Sequence, residues 1–331
     1  MSQAKTRRTS WVGWIISAIL VVGSVALWTQ RQNVVDAIQY YQYDPTPLVK
    51  SVATDAGLTD DAIFTFYATH PSIESSEMFN QHCKRQEADS PILGCFTMNR
   101  IFIFDVSDER LKGIKVVTAA HELLHAEYER LPDTEKRRLQ SLLEKAYASV
   151  NDEKLDARMK YYEKTEPGQS INELHSIVGT EFETISPELE AYYARFFKDR
   201  AALVKLQKQV ESTFESLSRE ADQLVEQLET LASKINSDTS QYNNDTESLN
   251  QKVQEFNDRA GRSGGFTTQS EFQSARQQLI IQSNALSESR QKIQLNITQY
   301  KTLLAKLESI NSESASLNAS LDSVLQDAPK I

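Results

Sequence analysis

The chain of 331 residues is long enough for one catalytic domain and a second structural unit. Its 46 acidic and 36 basic residues give a net charge of −10, which argues against a surface that binds nucleic acid. We therefore expect no nucleic-acid partner.

An uncharged apolar stretch, WVGWIISAILVVGSVALW, covers residues 11–28 and is long enough to cross a bilayer as a helix. Basic residues precede it and only Arg31 follows closely, so the positive-inside rule predicts a cytoplasmic N-terminus. We expect a cytoplasmic tail over 1–10, a single plasma-membrane anchor over 11–30 and an extracytoplasmic remainder. The alternative is a cleaved signal peptide, but its apolar core is normally shorter and no clear small-x-small cleavage site follows.

The next part of the chain predicts strands followed by helices. Residues 61–71, DAIFTFYATHP, are rich in isoleucine and aromatic side chains and predict a strand that ends at the proline. Residues 94–106, GCFTMNRIFIFDV, predict one or two strands with a break near Asn99. Helices are expected over 114–130, 134–150 and 152–165. This order is typical of an α+β fold.

The first of these helices carries TAAHELLHAEYERLP at residues 118–132. His121 and His125 are four residues apart, so they lie on one helix face and can direct imidazole nitrogens to one point. Glu122 lies beside that point. In the His-Glu-x-x-His arrangement, two histidines hold Zn²⁺ and the glutamate is the general base for a zinc-bound water, whose pKa the metal lowers to about 7. The alternative is an ordinary buried helix that carries this short pattern by chance.

The stretch GQSINELHSIVGTEF at residues 168–182 contains Asn172, Glu173 and Ser176. Together with His-Glu-x-x-His it resembles the gluzincins, the zinc peptidases that include the thermolysin-like enzymes. In that family a second helix supplies the third zinc ligand from a motif written Asn-Glu-x-x-Ser-Asp. The resemblance implies a zincin-like domain in which Glu173 is the third Zn²⁺ ligand. It also implies that residues 100–106 form the edge strand that pairs with a peptide substrate.

The second motif departs from the family pattern, since Ile177 replaces the aspartate that orients a zinc-bound histidine. Glu181 could take over this role or could be a solvated surface carboxylate. Ser170 and Glu173 also form a capping-box pattern, in which the glutamate would bond to the helix start instead of zinc. His175 is the alternative third ligand. It could instead stabilise the oxyanion, as could His70, His82, Tyr192 and Tyr193.

Cys83 and Cys95 are the two cysteines of the chain. In the oxidising compartment that the predicted anchor implies, they are expected to form a disulfide worth about 3 kcal/mol in the chain-entropy model. The alternative is that Cys95 is a metal ligand, since a Gly-Cys pair upstream of His-Glu-x-x-His resembles the peptide deformylases. That family works inside the cell, so the predicted anchor argues against it.

The last part of the chain predicts two long helices. Ser186 and Pro187 fit a helix start, and no glycine or proline follows until Gly261. Apolar residues then recur at an average spacing of about 3.5, which is typical of a coiled coil. We expect a catalytic domain over 31–186, joined without a break to an antiparallel hairpin over 187–331. The turn is expected near 259–268, which would place Phe256 opposite Phe272 and Leu228 opposite Tyr300.

These observations together predict a membrane-anchored, outward-facing zinc peptidase with a peptide or protein substrate. The coiled-coil arm is a possible docking surface for a protein partner. The alternative is a non-catalytic scaffold of the cell envelope that keeps a degenerate peptidase domain.

Overall fold

The computed structural model describes residues 11–83, 92–150, 152–165 and 167–323. Within these residues the helices are α1 (Trp11–Thr29), α2 (Arg31–Gln42), α3 (Pro47–Asp55), α4 (Asp60–Ala68), α5 (Ser76–His82), α6 (Ile114–Arg130), α7 (Asp133–Ala148), α8 (Glu153–Thr165), α9 (Ser170–Glu181), α10 (Pro187–Tyr193), α11 (Arg200–Ala260) and α12 (Gln269–Leu321). The strands are β1 (Ser72–Glu74), β2 (Gly94–Thr97) and β3 (Arg100–Phe104).

The α+β prediction is wrong, because the described residues are 78% helical and the sheet within them has three strands. The strand predicted over 61–71 is helix α4. Thr59 caps this helix by accepting a hydrogen bond from the backbone N–H of Ala62 at 3.2 Å, and two aspartates favour its first turn. Ala62, Thr65 and Phe66 are buried at helical spacing, so one face packs in the core. The cap and this burial outweigh the β propensity of the aromatic residues.

The sheet has the order β1-β3-β2, with β1 parallel and β2 antiparallel to β3. The predicted break is present, since Met98 and Asn99 have φ angles of 51° and 57° and connect β2 to β3. The expectation that residues 100–106 form the edge strand is wrong, because β3 lies in the centre and pairs on both sides. The edge strand that packs beside α6 is β2.

Helix α6 occupies the range predicted from the sequence, Ile114–Arg130. It ends because Pro132 restricts the preceding residue, Leu131, to an extended conformation. Its apolar face is buried and packs against α9, β2, β3, α3 and α4. Residues of α6 and α9 therefore meet in the hydrophobic core.

The prediction of a transmembrane anchor over 11–30 is wrong. Helix α1 forms over Trp11–Thr29, but among the described residues no helix has both the length and the apolar character that crossing a membrane requires. That expectation was based on the length of residues 11–28 and on their lack of charge, which do not by themselves make a membrane span. The predicted plasma-membrane location and orientation depended on this anchor and are wrong with it. The predicted tail over 1–10 lies outside the described residues.

The predicted continuous helix from Ser186 is interrupted. Ser186 caps α10 as expected, accepting from the N–H of Leu189 at 3.3 Å, but the helix ends at Tyr193. The backbone of residues 194–199 instead bonds to the turn before α4, where the N–H of Thr59 donates to the carbonyl of Phe196 at 2.9 Å. Tertiary hydrogen bonds therefore break a helix that the local sequence would continue.

The described residues form two compact units, one that ends at Ser212 and resumes at Asn318 and one of residues Thr213–Leu317. In the second unit α11 and α12 run antiparallel. The rings of Phe256 and Phe272 lie 5.2 Å apart, and Lys306 pairs with Glu220 at 2.7 Å farther along. The Phe256 contact agrees with the pairing expected from the sequence.

Candidate metal centre

His121, His125 and Glu173 come together where α6 packs against α9. One ligand atom of each residue lies within 4.8 Å of the other two. Nε2 of His121 is 3.4 Å from Oε1 of Glu173, and Nε2 of His125 is 3.3 Å from Oε2 of the same carboxylate. The histidines are partly buried and Glu173 is buried. This group could hold a metal ion.

The donor set and its spacing fit Zn²⁺. Ligands at about 2.1 Å from a tetrahedral zinc ion are about 3.4 Å apart, close to both nitrogen-to-oxygen distances in this cluster. Two imidazoles and one carboxylate are also a ligand set found at catalytic zinc sites. Other divalent metals that prefer imidazole would accept the same three donors.

Electrostatics favour a cation at this position. Burial opposes ionisation of Glu173, but His121 and His125 more than offset it and hold the pKa of Glu173 well below its usual range. Burial likewise opposes a charge on His125, yet the hydrogen bond to Glu173 raises the pKa of His125 to about 9. A divalent cation would compete with protons for the histidine nitrogens and the Glu173 carboxylate.

Asn172 orients one of the histidines. Its Oδ1 lies 3.1 Å from Nδ1 of His125, so a proton on Nδ1 is donated to Asn172 and Nε2 keeps its lone pair for a metal. Ile177, at the position where the gluzincin motif has an aspartate, is fully buried in the core. The Glu173 carboxylate reaches both histidines, so the capping-box alternative does not describe its position in the structure.

Glu122 lies on α6 beside the two histidines and is 6% exposed. Burial raises the pKa of Glu122, while the neighbouring histidines and a hydrogen bond from the backbone N–H of Phe96 oppose this shift. Gly94 on β2 makes room for the carboxylate, because a Cβ at this position would lie 2.7 Å from Oε1 of Glu122. The edge strand and Glu122 are therefore in direct contact.

A cleft of about 220 Å³ opens beside the cluster. His121, Glu122 and Glu173 line it together with Gly94 of β2 and with side chains from other helices. Two of these, Arg158 and Tyr162, lie four residues apart on α8 and were not singled out from the sequence. Nothing in the local sequence distinguishes them from surface residues, because their position depends on how α8 packs against α9.

His175 does not join the metal cluster. It lies on another face of α9, fully buried, with its ring stacked on Tyr193 at 5.5 Å, and burial lowers its pKa to about 3. The hydroxyl of Tyr193 donates to the backbone carbonyl of His175 at 2.8 Å. Glu181 does not orient a histidine either, since its Oε1 accepts a hydrogen bond from Arg158 at 2.8 Å. The ligand and orienting roles considered for His175 and Glu181 therefore lack support in the geometry.

The other side chains considered for the oxyanion also lie away from the residues that line the cleft. Nε2 of His70 is 2.8 Å from the carbonyl of Gln39, and Nδ1 of His82 is 2.9 Å from Glu74. The hydroxyl of Tyr192 is buried among aromatic rings.

The predicted disulfide between Cys83 and Cys95 is confirmed, with Cα atoms 5.9 Å apart. The bond rules out Cys95 as a thiolate ligand. It fastens the end of α5 to β2, and Cys95 lies between Gly94 and Phe96, both of which contact Glu122.

No known protein family, no curated protein and no solved structure matches this chain.

Proposed function

We propose that this chain is a zinc-dependent peptidase of the gluzincin type. The observation that carries the proposal is the convergence of His121, His125 and Glu173 from two helices, with Glu122 buried beside them and lining the same cleft. A scaffold would gain nothing from a buried carboxylate next to a metal site, since an unpaired buried charge is costly.

The three clustered residues would hold the metal, and bound zinc would supply Lewis acidity toward the substrate carbonyl and the attacking water. Glu122 would accept a proton from that water and return it to the amine that leaves. The hydrogen bond from the N–H of Phe96 fixes the Glu122 carboxylate, and Asn172 fixes the ring of His125.

The edge strand β2 offers a way to bind an extended peptide. The N–H of Phe104 donates to the carbonyl of Leu93, so Leu93 belongs to a hydrogen-bonded pair with β3. By the alternation of an antiparallel ladder, the backbone polar groups of Gly94 and Phe96 then point away from β3, where the N–H of Phe96 donates to Glu122 rather than to a substrate strand. A substrate strand added at this edge would lie next to Glu122, and main-chain pairing would bind it largely independently of its side chains.

The test is hydrolysis of a mixed library of internally quenched peptides by the purified chain. We expect cleavage that a chelator abolishes and that stoichiometric zinc restores. A folded, zinc-loaded protein that cleaves no peptide would contradict the proposal and favour the non-catalytic scaffold.

A further inference from the structure

The cleft beside the metal cluster contains a cation that the roles above leave unused. Arg158 on α8 lines this cleft together with His121, Glu122 and Glu173. Its Nη2 donates to Oε1 of Glu181 at 2.8 Å, and the negative charge of Glu173 also acts on the guanidinium. A positive charge therefore lines the same cleft as Glu122.

The hydrogen bonds of Arg158 are incomplete. Its Nε is buried and has no hydrogen-bond partner among the described residues, although the side chain as a whole is 35% exposed. A buried donor without an acceptor costs free energy, so this partly exposed guanidinium at the cleft wall has hydrogen-bonding capacity that an acceptor on a ligand can use.

We infer that Arg158 binds the oxygen of the scissile carbonyl as this oxygen becomes negatively charged. The inference rests on the proposed peptidase function. When the water oxygen attacks the carbonyl carbon, the π electron pair moves onto the carbonyl oxygen, which accepts a hydrogen bond from Arg158. The water's proton passes to Glu122. As the electron pair on that oxygen returns to re-form the C=O bond, the C–N bond breaks and its electron pair stays on nitrogen, which takes the proton from Glu122.

Glu181 is the positioning residue for this role. It accepts the hydrogen bond from Nη2 and holds the guanidinium at the cleft wall. Tyr162, one helical turn beyond Arg158, lines the same cleft and is the competing donor. A charged donor stabilises an oxyanion more strongly than a neutral phenol, and this difference favours Arg158.

The experiment compares the zinc-loaded parent with Arg158→Ala, Arg158→Lys, Glu181→Gln and Tyr162→Phe. Arg137→Ala is the matched control, since Arg137 is an exposed arginine on α7. Zinc affinity, kcat, KM and the Kd of phenylphosphonate, a tetrahedral anion, are measured on each. We expect Arg158→Ala to lower kcat about 10²- to 10³-fold and to weaken phenylphosphonate binding about tenfold or more, with KM and zinc affinity nearly unchanged. Arg158→Lys should restore part of both losses, and Glu181→Gln should lower kcat less than Arg158→Ala does.

The inference is overturned if Arg158→Ala and Arg137→Ala show the same kcat and the same phenylphosphonate affinity. It is also overturned if Tyr162→Phe produces the larger loss, or if Arg158→Ala and Arg158→Lys both lose zinc, since that result would indicate a structural role. If the parent cleaves no peptide, the proposed peptidase function fails, but anion binding still tests Arg158 because phenylphosphonate needs no turnover.

Discussion

Gly94→Ala should separate the edge strand from the helix that carries Glu122. A Cβ at Gly94 would lie 2.5 Å from Cγ2 of Thr118 and 2.7 Å from Oε1 of Glu122. Ordinary contacts between such atoms are about 3.5–4.0 Å, so the overlap is about 1 Å. Thr118 and Glu122 are 9% and 6% exposed, and either these side chains or strand β2 must shift to relieve the overlap.

Overpacking of this kind costs about 1–3 kcal/mol of unfolding free energy. The shift also disturbs the hydrogen bond from the N–H of Phe96 to Glu122, and a misplacement of about 1 Å can lower turnover about 10²-fold. We expect Gly94→Ala to lose activity by more than its loss of stability explains, with zinc affinity nearly unchanged because the ligands lie on α6 and α9.

Urea unfolding, zinc titration and peptide hydrolysis on the same preparation measure the three effects. Gly113→Ala is the control, since a Cβ there would meet its nearest atom, Cβ of Leu206, at 3.4 Å. If Gly94→Ala is as stable and as active as Gly113→Ala, close contact between β2 and Glu122 is not required.

Three further predictions concern the cluster and its support. Glu173→Ala should weaken zinc binding strongly, because it removes the anionic ligand; a helix-capping role would instead cost about 1 kcal/mol of stability and leave zinc affinity unchanged in a titration. Burial lowers the pKa of His175 in the folded chain to about 3. As the pH falls below about 6.5, only the unfolded chain therefore gains a proton at this residue. Between pH 6.5 and 5 this difference should lower the unfolding free energy, measured with urea, by about 2 kcal/mol. His175→Phe should remove that part of the acid sensitivity, and an unchanged pH profile would contradict the burial argument. Replacing Cys83 and Cys95 together with serine should cost about 3 kcal/mol of unfolding free energy, and a parent that contains two free thiols would contradict the disulfide.

The part of the site that follows from spacing could be predicted from the sequence. His121 and His125 share a helix face because they are four residues apart, and a glycine and a proline bound that helix. The position of Glu173 came from its motif, and the structure places its carboxylate between the two histidines.

The rest depended on tertiary packing. The sequence favours a strand over 61–71 because it contains β-prone residues, but the Thr59 cap and the buried face make it a helix. The break at 194–199 has no local signal, because hydrogen bonds to a distant turn cause it. Arg158 is one of many charged helix residues until α8 packs beside α9 and places it in the cleft.

The edge strand was misassigned for a related reason. Residues 100–106 have the stronger apolar pattern because β3 is buried in the centre of the sheet. The partly exposed β2 has the weaker pattern, and it is the strand beside the cleft. The apolar pattern of a strand indicates how deeply the strand is buried, but it does not indicate which strand lies at the edge of the sheet.

The decisive measurement is zinc content and peptide hydrolysis on one preparation of Glu122→Gln. The amide keeps the shape of the side chain but cannot accept a proton from water at neutral pH, and it is not one of the three clustered ligands. We expect one zinc ion per chain, as in the parent, and a loss of hydrolysis of about 10²- to 10⁴-fold. Full activity with bound zinc, or loss of zinc together with activity, would contradict the assignment of Glu122 as the general base beside a His121, His125 and Glu173 metal site.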